Sequence, residues 1–150
     1  MKTLLLFVFL IALPAVSLGS AQIKQGTAQR PILLYASRTD CRFCYNFEKE
    51  ILNPLIQSGE YTDSIVIRNL VLDSTELVEN FEGKLVSPNE FAQIYDIKLS
   101  PSLLFLDTKG RELIPRIVGY QRSEFYFYYF EEAIHKAIAA LSAPSRSLKD

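Results

Sequence analysis

Apolar residues along this chain fall into blocks of different period, and the blocks predict alternating strands and helices. Residues 32–37 are almost continuously apolar between Pro31 and the polar Arg38, Thr39 and Asp40, the pattern of a strand buried on both faces. From Cys41 the spacing changes. Phe43, Phe47, Ile51 and Leu55 form one row and Cys44, Leu52 and Ile56 another, at three- and four-residue intervals that predict a helix ending near Ser58 and Gly59. Pro54 lies inside this pattern and is expected to kink the helix or start a fresh turn, because it has no N–H and crowds the preceding turn. Residues 64–73 alternate and then run apolar through Leu70 and Leu72, which predicts a second buried strand. Helical turns are expected over 74–80, and 81–86 fits neither period. Ser87, Pro88 and Glu90 supply an N-cap, a first-turn proline and a capping-box acid for a helix over 88–95, with Phe91, Ile94 and Tyr95 on one side. Residues 102–107 form another buried strand, 108–111 a turn containing Gly110, and 112–120 a strand folded back on it, which Pro115 marks as an edge. Ser123 is expected to cap a final amphipathic helix carrying Tyr126, Phe130, Ala133, Ile134, Ala137 and Leu141 on its apolar side.

The first 21 residues stand apart from this pattern. Lys2 precedes an apolar run over 4–13, followed by Pro14 and the small residues of 17–21, the layout of a signal peptide cleaved after Gly19 or Ala21. The apolar run is too short to cross about 30 Å of hydrocarbon. Residues 22–30 are polar and aperiodic and read as a linker, 31–141 as one domain and 142–150 as a C-terminal tail. Sixteen basic residues against seventeen acidic ones leave no excess charge to neutralise phosphates, so nucleic acid is not an expected partner. Export, with a bacterial periplasm as the best-fitting destination, places the chain where disulfides persist.

Two cysteines, Cys41 and Cys44, sit at the junction between the first strand and the first helix. A bridge over two intervening residues removes little chain entropy, so stapling is a weak role and a reactive one gains. Two other readings stand beside it. One is an inert bridge; the other is half of a zinc site, which needs about four protein ligands and finds its single imidazole in His135, far along the last helix. No metal is therefore expected. His135, with Glu131, Glu132 and Lys136 around it, reads as a solvated surface residue.

The Cys-x-x-Cys after the first strand, Ser100-Pro101 before the third, and a hairpin leading to a terminal helix together resemble the thioredoxin superfamily, in particular small periplasmic thioredoxin-like thiol–disulfide oxidoreductases. The resemblance implies an α/β, three-layer fold with a central mixed sheet of about four strands flanked by helices. It implies that Cys41 is the nucleophile and Cys44 the resolving residue, facing a cis Pro101 and a substrate-contacting Ser100. The thiolate is the attacking species, and the helix N-terminus at Cys41 favours it. Arg42 adds a positive charge, Asp40 a negative one and Phe43 a flanking surface, so these three are candidates for tuning or substrate contact. As plain loop residues, Asp40 and Arg42 would be solvated, and Pro101 would be an ordinary trans proline opening a strand.

The chain also departs from the thioredoxin pattern. It has no Trp, Asp40 replaces the aromatic that precedes the first cysteine, and Tyr35 replaces the buried acid six positions before it. The unit also starts without the extra strand and helix found ahead of it in thioredoxin. These differences indicate a specialised relative. The expected function is an exported reductase of client protein disulfides that uses no cofactor beyond the Cys41–Cys44 couple and is supplied by a membrane electron donor. The alternatives are a disulfide oxidase or isomerase, and a non-catalytic binding module with a fixed Cys41–Cys44 bridge. The run from Phe125 to Phe130 wraps every side of its helix, which leaves an aromatic stripe for self-association.

Overall fold

A computed structural model describes residues 29–121 and 124–143. The expected signal peptide, most of the linker, Ser123 and nearly all of the tail lie outside the described residues. The strands are β1 (Ile32–Ser37), β2 (Val66–Val71), β3 (Val78–Glu79), β4 (Leu85–Val86), β5 (Ser102–Leu106) and β6 (Ile117–Val118). The helices are α1 (Arg42–Phe47), α2 (Asn53–Ser58), α3 (Pro88–Ile94) and α4 (Tyr126–Ser142), with a π-helical segment, Glu48–Leu52, joining α1 to α2.

The main sheet has four strands in the order β2-β1-β5-β6, with β1 parallel to β2 and β5 antiparallel to both β1 and β6. It is the mixed sheet expected from the sequence. Because strand side chains alternate between faces, β1 and β5 each serve two cores. Leu33, Tyr35, Leu103 and Phe105 face the layer of α1, α2 and α4. Leu34, Ala36, Leu104 and Leu106 face α3, where Phe91 is fully buried. This two-sided burial explains why both strands read as continuous apolar runs.

Pro54 does start a fresh turn. The Asn53 amide reaches back five residues to the Glu48 carbonyl, and this widened π turn lets Pro54 enter at the start of α2, where its missing N–H costs nothing. Gly59, at φ 69°, then ends α2 in the left-handed conformation that glycine adopts without strain. Ser87 and Glu90 form the expected capping box at α3.

Several expectations need correction. The predicted helical turns over 74–80 are absent. That segment is an extended connection into a β3–β4 hairpin, whose turn is held by Asn80 Oδ1 accepting from the Glu82 and Lys84 amides at 2.9 Å each. Arg68 fixes this hairpin by donating to the Glu79 carbonyl and stacking over Phe81 and Phe91. β2 is an edge strand with only Leu70 fully buried, because its outer side has no neighbouring strand among the described residues. The strand expected over 112–120 is broken. Glu112 pairs with Leu106, and Ile117 pairs with Leu103, so two extra residues around Pro115 bulge out of the ladder. Ile94 is exposed, and Ala92 takes a buried place on α3. α4 begins at Tyr126 with Phe125 at its N-cap and no side-chain cap there, so the helix starts later than a Ser123 cap required. Its apolar stripe is otherwise as read: Phe130, Ala133, Ile134 and Ala137 are buried.

Candidate active site

β1 ends at Ser37, and the loop that follows must turn the chain from the end of this central strand into α1. Asp73, just beyond β2, pins this loop by accepting from the Thr39 amide at 3.1 Å and the Thr39 hydroxyl at 2.5 Å. Those bonds, the hydroxyl's first, hold the Asp73 carboxyl below the usual carboxylate range. The Leu72 amide also reaches the Ser37 carbonyl at 2.8 Å, tying the ends of the two parallel strands together. Cys41 follows in extended conformation as the N-cap of α1.

Cys41 and Cys44 are joined by a disulfide with their Cα atoms 5.2 Å apart. The pair is unequal. Cys41 is partly exposed, whereas Cys44 is 2% exposed and packs in the core with Phe47. The Cys44 amide donates to Cys41 Sγ at 3.1 Å, and the Ser100 hydroxyl lies 3.5 Å from the same sulfur. Both donors, with the helix N-terminus behind them, favour negative charge on Cys41 once the bridge is opened.

Ser100 is brought to the disulfide by the segment leading into β5. The Ser100–Pro101 peptide bond is cis, and Pro101 is buried with its carbonyl accepting from the Gly119 amide at 2.8 Å. Phe43 is 59% exposed beside the disulfide. A groove of about 540 Å³ starts there, lined by Phe43, Leu99, Ser100, Val118, Tyr126 and Tyr129 among others. Asp40 and Arg42 flank Cys41 in sequence and lie exposed, and neither side chain has a hydrogen bond or ion pair with a described residue. The structure thus gathers Cys41, Cys44, Ser100, Pro101 and Phe43 at one end of the central strands β1 and β5 and leaves Asp40 and Arg42 in solvent. A second apolar cavity, about 340 Å³ between Leu55, Tyr61 and Ile65, shares no residue with this groove. His135 is exposed, as read, but it also meets Tyr61, its Nε2 lying 3.2 Å from the Tyr61 hydroxyl. Among the described residues no group of three or more His, Cys, Asp or Glu is placed to hold a metal ion.

Residues 18–134 match the family model described as a thioredoxin-like domain. The chain belongs to the thioredoxin-like family. With its Cys-x-x-Cys disulfide on that fold, this thioredoxin-like protein is a thiol–disulfide oxidoreductase. Solved structures agree on the fold. The DsbH oxidoreductase superposes with a TM-score of 0.56 at 17% identity, over 75% of each chain. A thioredoxin-fold protein from Helicobacter pylori gives 0.52 at 19% identity, over 75% of this chain and 82% of that one. The germline-specific thioredoxin Deadhead from Drosophila melanogaster gives 0.52 at 17% identity, over 73% and 84%. No curated protein matches the chain in sequence.

Sequence reasoning singled out Tyr35 in this thioredoxin-like protein but missed its partner, Glu48. Tyr35 is 1% exposed, and its hydroxyl donates to Glu48 Oε1 at 2.8 Å while lying 3.4 Å from the Cys44 carbonyl. Burial first, then the bond to Glu48 and that residue's charge, raise the Tyr35 hydroxyl well above its ordinary range. The signal was present in part, since a buried tyrosine needs a polar partner and Glu48 lies one turn after Cys44.

Proposed function

We propose that this chain is an exported reductase in which Cys41 attacks a client disulfide and Cys44 resolves the mixed disulfide. The observation that carries the assignment of roles is the unequal exposure of the two sulfurs: a client reaches Cys41, while Cys44, one turn further in, reaches only its partner. Cys41 thiolate forms a bond to one client sulfur and expels the other as a thiolate. The Cys44 sulfur then bonds to Cys41 Sγ and releases the second client thiolate, so the client gains two electrons and the pair becomes a disulfide. The couple itself is the only redox group this requires.

The open groove from Phe43 to Tyr129 suits an extended client segment beside Ser100 and Pro101, the two contact residues of this reading. Arg42 and Asp40, exposed on either side of Cys41, act at most through their charges. The reductase direction is supported by the short connections of the described chain, which pass from β2 to β5 through one hairpin and one short helix and leave the disulfide edge open. Export is supported by the signal-like segment 1–21, and it calls for a membrane donor to re-reduce the pair. Exposed Tyr128 and Tyr129 on α4, with Phe125 at its N-cap, offer a surface for a second copy. Equilibrating the Cys41–Cys44 couple with glutathione buffers tests the direction. A potential near −270 mV supports the reductase, and one near −120 mV overturns it in favour of an oxidase.

A further inference from the structure

β2 carries one row of main-chain groups with nothing to bond. The Val66 amide donates to the Pro31 carbonyl at 2.9 Å and the Leu72 amide to the Ser37 carbonyl at 2.8 Å, so in this parallel register residues 66, 68, 70 and 72 turn their main chain toward β1. Ile67, Asn69 and Val71 therefore turn theirs outward. Their amides, and the carbonyls of Ile67 and Asn69, meet no partner among the described residues. Edges of this kind are usually guarded by a charge, a proline or a bulge. β2 has no proline, and its one charged residue, Arg68, is drawn away to the Glu79 carbonyl and over Phe81 and Phe91.

The apolar hollow of about 340 Å³ opens beside this edge. Ile67 lines it with Leu55, Ile56, Tyr61, Thr62 and Ile65, and Ile56 is 52% exposed. Because strand side chains alternate between faces, a strand laid along β2 would set every second side chain over Ile67 and the hollow. Carboxylates stand near the rim. Glu60 and Asp63 flank Tyr61 and Thr62 in sequence and are exposed, and Glu131 accepts from the Tyr61 hydroxyl at 2.8 Å. Burial first, then the bond to Glu131 and the charges of Glu131 and Glu60, push that hydroxyl up to about 12. On the basic side, Arg30 is committed to the Thr62 carbonyl at 2.9 Å, and His135 lies 3.2 Å from the Tyr61 hydroxyl.

We infer that the outer edge of β2 is a docking site for an extended segment of a partner protein, with apolar side chains at alternate positions and lysine or arginine beside them. The main chain of that segment pairs with Ile67, Asn69 and Val71, one apolar side chain fills the hollow, and the cations meet Glu60 and Asp63. A second copy of this chain does not fit. Antiparallel pairing of two β2 strands about Asn69 would set the second copy's Val71 against Ile67, but the second copy's Asp73 carboxylate against Ile65 in the apolar hollow. The hollow shares no residue with the groove at the disulfide, so the two can be occupied and tested separately.

Fluorescence anisotropy of a labelled, end-blocked peptide, Lys-Thr-Leu-Thr-Leu-Thr-Lys, tests this on the full chain, beside versions with Ser for Leu and with Glu for Lys. The parent peptide should bind at least about tenfold more tightly than the Ser version, the scale of burying one apolar side chain. It should bind about fivefold more tightly than the Glu version, a gap that narrows with added salt. Bound peptide should slow amide exchange at Ile67, Asn69 and Val71 and leave Val66, Arg68 and Leu70, already turned to β1, as they were. Ile56→Glu should weaken binding about tenfold without changing reduction of a small disulfide at Cys41. A Ser or Glu version that binds as tightly as the parent overturns the inference, as does unaltered exchange at Ile67 and Asn69 in the complex. So does affinity that survives N-methylation of both Leu amides, a change that leaves the protein untouched. Binding that appears only after Ile23→Asp assigns the edge to the chain's own residues 22–28, and a dimer broken by Ile56→Glu assigns it to a second copy; either result overturns the inference.

Discussion

Replacing Cys44 with Ser removes the second of the chain's two cysteines and leaves Cys41 able to capture a disulfide but unable to release it. In the native pair the Cα atoms already stand 5.2 Å apart at the start of a helix, so the resolving attack requires no loop to close. Well-oriented intramolecular reactions reach effective molarities of about 10⁵ M and above. Set against about 1 mM external thiol, an effective molarity as low as about 1 M still makes the mixed disulfide of Cys44→Ser about 10³-fold longer-lived than that of the wild type. The assay mixes reduced protein with glutathione disulfide, quenches with acid at intervals and reads intact mass. Wild-type protein should pass to its internally bridged form without an adduct accumulating. The variant should carry one glutathione on Cys41 that persists until external thiol is added. An adduct lost from the variant as quickly as from the wild type would refute the reasoning. So would a Cys41→Ser protein that acquires an adduct on Cys44 at a comparable rate.

Three further outcomes test how the fold supports this edge. Phe47 is fully buried and meets Tyr35, Tyr120, Tyr126 and Phe130 ring to ring, so Phe47→Ala should cost about 3–5 kcal/mol, read from the denaturant midpoint; a loss below about 1 kcal/mol would contradict the packing. Gly110 has φ 80°, and a Cβ there would overlap the Tyr95 hydroxyl and approach the Phe81 ring to 2.8 Å; Gly110→Ala should lower stability by more than about 1 kcal/mol in thermal melts, whereas Gly83→Ala, which meets no close atom, should cost less. Burial pushes the Asp107 carboxyl up, but bonds from the Arg111 and Lys109 amides and the Arg111 guanidinium outweigh it and hold the group below its usual range. Its contribution is present above the unfolded carboxylate range and lost as pH falls through and below it, so Asp107→Asn should flatten the stability–pH curve below about pH 5 and leave the neutral limb's slope unchanged.

What was legible in the sequence depended on whether the deciding contacts were local. β1 and β5 could be read outright because burial on both faces writes a continuous apolar run, and the α3 cap could be read because Ser87 and Glu90 are three residues apart. The β3–β4 hairpin could not. Leu77, Val78 and Phe81 have helical spacing, and what overrides it is Arg68, from a strand ten residues earlier, clamping Glu79, Phe81 and Phe91. Pro115 announced an edge but not that two residues would leave the ladder around it. At the disulfide, the two cysteines and Ser100-Pro101 stood out by motif. Glu48 did not, because its meaning comes from Tyr35, thirteen residues away on the strand beneath. The tyrosine that looked like a missing acid instead holds a carboxylate supplied by the helix.

The cysteine pair is asymmetric, with Cys41 open to partners and Cys44 sealed behind it. Brief treatment of the reduced, folded protein with iodoacetamide at neutral pH, followed by peptide mass mapping, tests this directly. Cys41 should be alkylated, with Cys44 unmodified until the protein is denatured. Equal labelling of both residues, or labelling of Cys44 first, would contradict it.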